Sequence, residues 1–138
     1  MVKILRHLGA TALTTTFLLA VGFFVPACND DPLAPFEPEI SNNVDSFSLQ
    51  ATSVLGVTLT RDYAWQNTGV VANVNQATTV TNGSASLKIL DTVGEQVYQE
   101  NLASNGTSGT SDGMTGDWTI RMVLTNFSGT INFSVEKP

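Results

Sequence analysis

The sequence predicts an all-β fold, a single antiparallel β-sandwich of seven or eight strands, and three observations carry that expectation. From about Ser41 onward Val, Thr, Ser and Asn dominate and charges are sparse. Several segments alternate apolar and polar residues, the period of strands buried on one face. No stretch in this region sustains the period of an amphipathic helix. Short strands between frequent turn signals point to a sandwich or barrel. About 95 residues can bury one adequate core without a disulfide.

Taken in chain order, the first strands are Phe47-Leu49-Ala51, Val57-Leu59, Tyr63-Trp65 and Val70-Ala72-Val74, each named by its apolar positions. Ala85, Leu87 and Ile89 then alternate up to Asp91-Thr92-Val93-Gly94, and a strand through Val97 and Tyr98 returns. Asp at the start of that tetrad and Gly at its end suit a type I turn closed by a left-handed glycine. Residues 103–116 form the longest connection, with a short strand expected near Thr107–Thr110. Trp118, Ile120, Met122 and Leu124 then share one face, as do Ile131, Phe133 and Val135. The short link Asn126-Phe127-Ser128-Gly129 between these two runs predicts a terminal hairpin. An Ig-like or jelly-roll-like arrangement accommodates all of these strands. The text from Gly116-Asp117-Trp118 to Phe133 also resembles the last hairpin of secreted bacterial β-sandwich modules such as the pre-peptidase C-terminal type, a resemblance that implies fold and no activity.

The amino terminus has a different character. Lys3 and Arg6 precede an uncharged run from Leu8 to Val25 that contains Phe17-Leu18-Leu19-Ala20-Val21, and Pro26-Ala27 interrupts it. A positive start followed by an apolar stretch is the layout of a secretory signal, expected over residues 1–27. Val25-Pro26-Ala27-Cys28 resembles the lipobox of bacterial lipoproteins, although Pro26 departs from the usual small or hydroxyl residue. That resemblance implies acylation of Cys28 and attachment to a membrane through palmitate-type chains, two of which anchor stably where one does not. Cys28 is the only cysteine, so no intramolecular disulfide competes for it. Ordinary cleavage after Ala27 and an uncleaved anchor of about 17–25 residues stay open as alternatives. Asn29-Asp30-Asp31 resembles the acidic export signals of some Bacteroidetes surface lipoproteins. With Asn and not Asp after Cys28, the outer membrane or cell surface is expected rather than the inner membrane.

Residues 28–40 are then expected to be the lipid-bearing cysteine and a tether, and residues 41–138 the domain. Pro32, Pro35 and Pro38 recur with the three-residue turn of polyproline II, which would make a semi-rigid spacer of roughly 35 Å.

The whole chain carries a net charge of −6. Without residues 1–27, four basic residues face twelve acidic ones, and no basic patch exists to hold a nucleic acid. The only histidine, His7, lies in the signal segment. The mature chain therefore lacks the usual base for a serine or cysteine nucleophile and the usual zinc or copper ligands. The nearest acid pairs, Asp91 with Glu95 and Asp112 with Asp117, suit solvated turn edges better than the paired carboxylates of a glycosidase. Asn105, Asp112 and Asp117 offer oxygen atoms to calcium, without the alternating spacing of known calcium loops. No catalytic residue, cofactor or metal is expected. The expectation is a non-catalytic, lipid-anchored envelope protein that binds another protein or an envelope polysaccharide. A carbohydrate-binding module is the alternative, with Tyr63, Trp65 and Tyr98 as a stacking surface.

Overall fold

The computed structural model describes residues 31–138. The expected signal segment and Cys28 lie outside these residues. The described chain is all-β: β1 (Glu39–Asn43), β2 (Ser46–Asn67), β3 (Asn73–Gln76), β4 (Thr79–Leu90), β5 (Gln96–Asn101), β6 (Gly106–Gly109) and β7 (Gly116–Glu136). All seven belong to one antiparallel sheet. β2 and β7 pair along nearly their whole length, from Ser46↔Glu136 to Asn67↔Gly116.

That pairing corrects the expected terminal hairpin. Residues 118–125 and 131–136 do not pair with each other; they are the two arms of one 21-residue strand. The three short strands expected between Phe47 and Trp65 are likewise one strand of 22 residues. Both strands fold over in the middle. Phe47 and Tyr63, sixteen residues apart in β2, would lie about 53 Å apart on a straight strand. Their ring centroids are instead 5.3 Å apart.

The bend has a local cause in each strand. Left-handed backbone occurs at Ser53 and Gly56 in β2, at Gly83 in β4, and at Asn126 and Gly129 in β7. The ladder register slips at the same places, as β-bulges require. Short polar side chains take up the backbone groups that the ladder releases. Gly56 N–H donates to Ser128 Oγ (2.9 Å), Asn126 N–H to Thr58 Oγ1 (2.8 Å), and Thr81 Oγ1 to the Ser128 carbonyl (3.0 Å). Val54 and Phe127 fill the inside of the fold, both fully buried.

Two facing half-sheets result. One contains β1, the first arm of β2, the second arm of β7, β3 and β6. The other contains the second arm of β2, the first arm of β7, β4 and β5. Phe47, Leu49, Val74, Phe133 and Val135 of the first half pack in one buried cluster with Trp65, Leu87, Ile89, Trp118, Ile120 and Met122 of the second. Each such fully buried side chain contributes about 1.5–3 kcal/mol relative to exposure. The expected hairpin at Asp91-Gly94 forms as β4–β5, with Ile89 opposite Tyr98 and Gly94 at φ 85°.

The tether expectation also needs correction where it reaches the described residues. Ala34–Phe36 form a 3₁₀ turn, and β1 already begins at Glu39. Leu33 is completely buried in the core, with Phe36 packed against it. Asp31 pairs with Arg61 of β2 at 2.6 Å and accepts from Leu33 N–H, just before the turn, at 2.9 Å. An apolar residue between the prolines had a core vacancy to fill, and burying it outweighed the extended conformation.

Candidate functional site

Folding the long strands in half gathers their beginnings and ends at one end of the molecule, opposite the bend. Four connections meet there: the β1–β2 turn, residues 68–72, the β4–β5 turn, and residues 110–115. They are tied to one another by hydrogen bonds. Asp45 accepts from Thr68 N–H and Thr68 Oγ1, both at 2.7 Å. Gly113 N–H donates to the Val70 carbonyl at 2.8 Å. Met114 N–H donates to Asp91 Oδ2 at 2.9 Å, and Thr92 Oγ1 to the Thr115 carbonyl at 3.1 Å.

The rigidity of this end comes from residues beneath it. Buried Asn67 shapes the second connection by accepting from Gly69 N–H and donating to the Val71 carbonyl. Asp91, also buried, accepts from Val93, Glu95 and Met114 N–H groups. Those bonds, the one from Met114 foremost, hold its carboxyl below the ordinary carboxylate range against the opposing effect of desolvation. Gly113 passes so close that a Cβ there would lie 2.9 Å from Val97 and 3.1 Å from the Trp118 ring.

The two tryptophans hold the same end from inside. Trp65 and Trp118 face each other across β2 and β7 in an edge-to-face pair, centroids 5.9 Å apart. Trp118 Nε1 donates to the Met114 carbonyl at 2.6 Å, and Trp65 Nε1 to the Asn43 carbonyl at 3.2 Å. Each indole thus anchors one connection while its ring fills the core.

On this braced frame stand Val44, Val70, Val93 and Met114, one on each connection. They are 56%, 48%, 65% and 58% exposed, and they are four of the six large apolar residues exposed among the described residues. Ile40 on β1 and Leu55 at the bend are the others. Glu95, Asp112, Asp117 and Glu136 stand around the four tips as exposed acids, with half-buried Asp45 beside them; among the described residues Lys137 adds the positive charge there, 3.6 Å from Asp45.

The residues of the alternative stacking surface lie elsewhere. Trp65 is 1% exposed and Tyr98 8%. Val97 and Tyr98 are neighbours in β5 and strand alternation would turn one of them outward, but the slip in register between Ile89 and Leu90 turns both inward. The Tyr98 hydroxyl accepts from Gln76 Nε2 at 2.8 Å and shares a hydrogen bond with Ser108 Oγ at 3.1 Å. Burial raises its pKa, with the Ser108 hydrogen bond opposing. Tyr63 is half-buried on Phe47; its hydroxyl is buried without a hydrogen bond among the described residues, and burial raises its pKa against the Arg61 charge. The three rings do not form an exposed platform. Val70, expected in a strand, instead tips a connection, and β3 starts at Asn73. Asn105 spends its side-chain oxygen on Thr78 N–H, at the opposite end of β6 from Asp112.

Sequence reasoning missed Val44, Val93 and Met114 as surface features. A lone valine in a polar turn carries no periodic signal; only the convergence of four such turns gives it meaning. The chain matches no model of a known protein family, and no curated protein matches it.

Proposed function

We propose that this chain is a non-catalytic binding module, held at the cell envelope by lipid on Cys28, that engages a protein partner through its apolar loop end. The carrying observation is the placement of Val44, Val70, Val93 and Met114 on four hydrogen-bonded connections at one pole. Binding residues are commonly carried on connections positioned by a rigid scaffold. Isolated exposed apolar residues need no explanation, whereas apolar tips gathered within a polar rim mark interaction surfaces. Braced connections also lose little entropy on binding.

The rim selects the partner's chemistry. Four exposed acids around the tips, with Asp45 half-buried beside them, favour a protein face that sets lysine or arginine around its own apolar residues. They disfavour an anionic polymer. Carbohydrate binding by stacking lacks its rings, since both tryptophans and Tyr98 are buried. Asp91, the buried acid of this pole, is committed to backbone N–H groups and is not free to act as a base.

Cross-linking on intact envelopes tests the reading. The wild-type protein and the triple variant Val70→Asp/Val93→Asp/Met114→Asp are compared with Lys88→Glu, which lies between the inward-facing Leu87 and Ile89. Species captured by wild type and Lys88→Glu should be lost from the triple variant. Capture of the same species by all three would refute the loop end as the binding surface.

A further inference from the structure

We infer that residues 31–38 are a clamp that leaves the domain on a three-residue leash, so that the domain and its apolar loop end are held close to the membrane surface. The inference rests on the lipid anchor proposed above and adds a distance to it. Extended chain spans at most about 3.3–3.6 Å per residue. If the domain began to hold its chain only at Glu39, eleven residues beyond Cys28 would let it stand roughly 35 Å off the bilayer. The chain is held much earlier. Leu33 is fully buried in the core, Phe36 packs beside it, and Asp31 is fixed to Arg61 and to the backbone of the turn. From Cys28 to Asp31 the reach is about 10 Å.

The clamp also sets where the leash leaves the domain. Arg61 lies in the second arm of β2, opposite Met122, six residues before the strand ends at Asn67. Val70 is nine residues beyond Arg61, so its connection lies at most roughly 30 Å from that point. Leash, ion pair and chain together keep this tip within roughly 50 Å of the lipid headgroups. Leu33 supplies the hold through apolar burial, and the partly exposed Asp31–Arg61 pair adds direction more than strength.

The test uses the full, acylated protein in vesicles of phosphatidylethanolamine and phosphatidylglycerol carrying a headgroup acceptor dye. A donor dye is placed on Val70→Cys, since acylation leaves Cys28 without a thiol. A second protein carries twelve Gly/Ser residues inserted between Asp30 and Asp31, which lengthens the leash by about 20 Å root-mean-square and leaves the clamp intact. Strong energy transfer in the parent and a several-fold loss in the insertion protein support the inference. Equal transfer from the two acylated proteins overturns the leash and leaves the anchor standing. Absence of the acyl mass on Cys28 by mass spectrometry overturns both.

Discussion

Gly83 gives the most direct test of the bend. It sits in the bulge of β4 at φ 71°, and a Cβ there would overlap the backbone carbonyl oxygens of Thr125 and Asn126 in β7. Gly83→Ala therefore carries two costs. A left-handed conformation costs an L-residue about 1–2 kcal/mol. Forcing the two strands apart adds about 1–3 kcal/mol, the range for overpacking a tight site. The expected loss is thus about 2–5 kcal/mol, a large share of the roughly 5–15 kcal/mol that stabilises a domain. Gly94→Ala is the matched control. Gly94 has φ 85°, but a Cβ there meets nothing within 4 Å, so only the conformational cost applies. Urea unfolding should place the Gly83→Ala midpoint below that of Gly94→Ala by the packing cost, with similar m-values. If Gly83→Ala proved as stable as Gly94→Ala, β4 and β7 would not approach closely at residues 125–126. The terminal hairpin would then return as the better description.

Three further outcomes follow from the same geometry. Trp118→Ala should cost about 3–5 kcal/mol, the usual range for emptying a buried aromatic site, whereas Trp118→Phe should mainly release the Met114 carbonyl. The Phe variant should exchange the Gly113 and Met114 amide hydrogens faster by NMR while the β2–β7 amides stay protected; unchanged exchange would remove Trp118 as a brace of the loop end. Stability should hold steady from neutral pH down to about pH 5 and decline below about pH 4, because Asp31, Asp45, Asp62 and Asp91 all have lowered pKa values. The sign follows from linkage: a carboxylate with a depressed folded pKa contributes fully above its unfolded value near 3.9, and that contribution is lost as pH falls through the folded pKa. A thermal midpoint that rises on acidification through that window would contradict it. Radiolabelled palmitate should enter the wild-type protein and not Cys28→Ala, and equal labelling of both would remove the lipid anchor.

How far the fold could be read from the residues depends on what alternation can report. Alternation finds which residues face inward, and it found them: Trp118, Ile120, Met122, Leu124, Ile131, Phe133 and Val135 are all buried as expected. It does not report what lies between two alternating runs. Asn126-Phe127-Ser128-Gly129 has the length and the glycine of a hairpin, yet it serves as a bulge because Ser53, Gly56 and Gly83 bend the flanking strands in step. A four-residue turn and a four-residue fold in a continuous strand draw on the same small, polar, left-handed residues. What separates them is the partner strand, which lies some seventy residues away for β2.

The candidate site escaped reading for a related reason, and the difference has a physical core. Tyr63, Trp65 and Tyr98 were legible as aromatic, but a ring large enough to stack on a sugar is also large enough to be needed inside a domain of this size. Here the interior claimed them, and their polar atoms were put to bracing the fold: Trp65 on Asn43, Tyr98 on Gln76 and Ser108. The aliphatic tips had the opposite history. Val93 follows Asp91 and Thr92 in a turn whose backbone is held by the Asp91 carboxylate, and that constraint points its side chain away from the core that any other valine would enter. Met114 is held outward in the same way, with its N–H on Asp91 and its carbonyl on Trp118. One buried acid and one buried indole thus keep two apolar side chains in water. Stability alone supplies no reason for that arrangement, and a binding surface does.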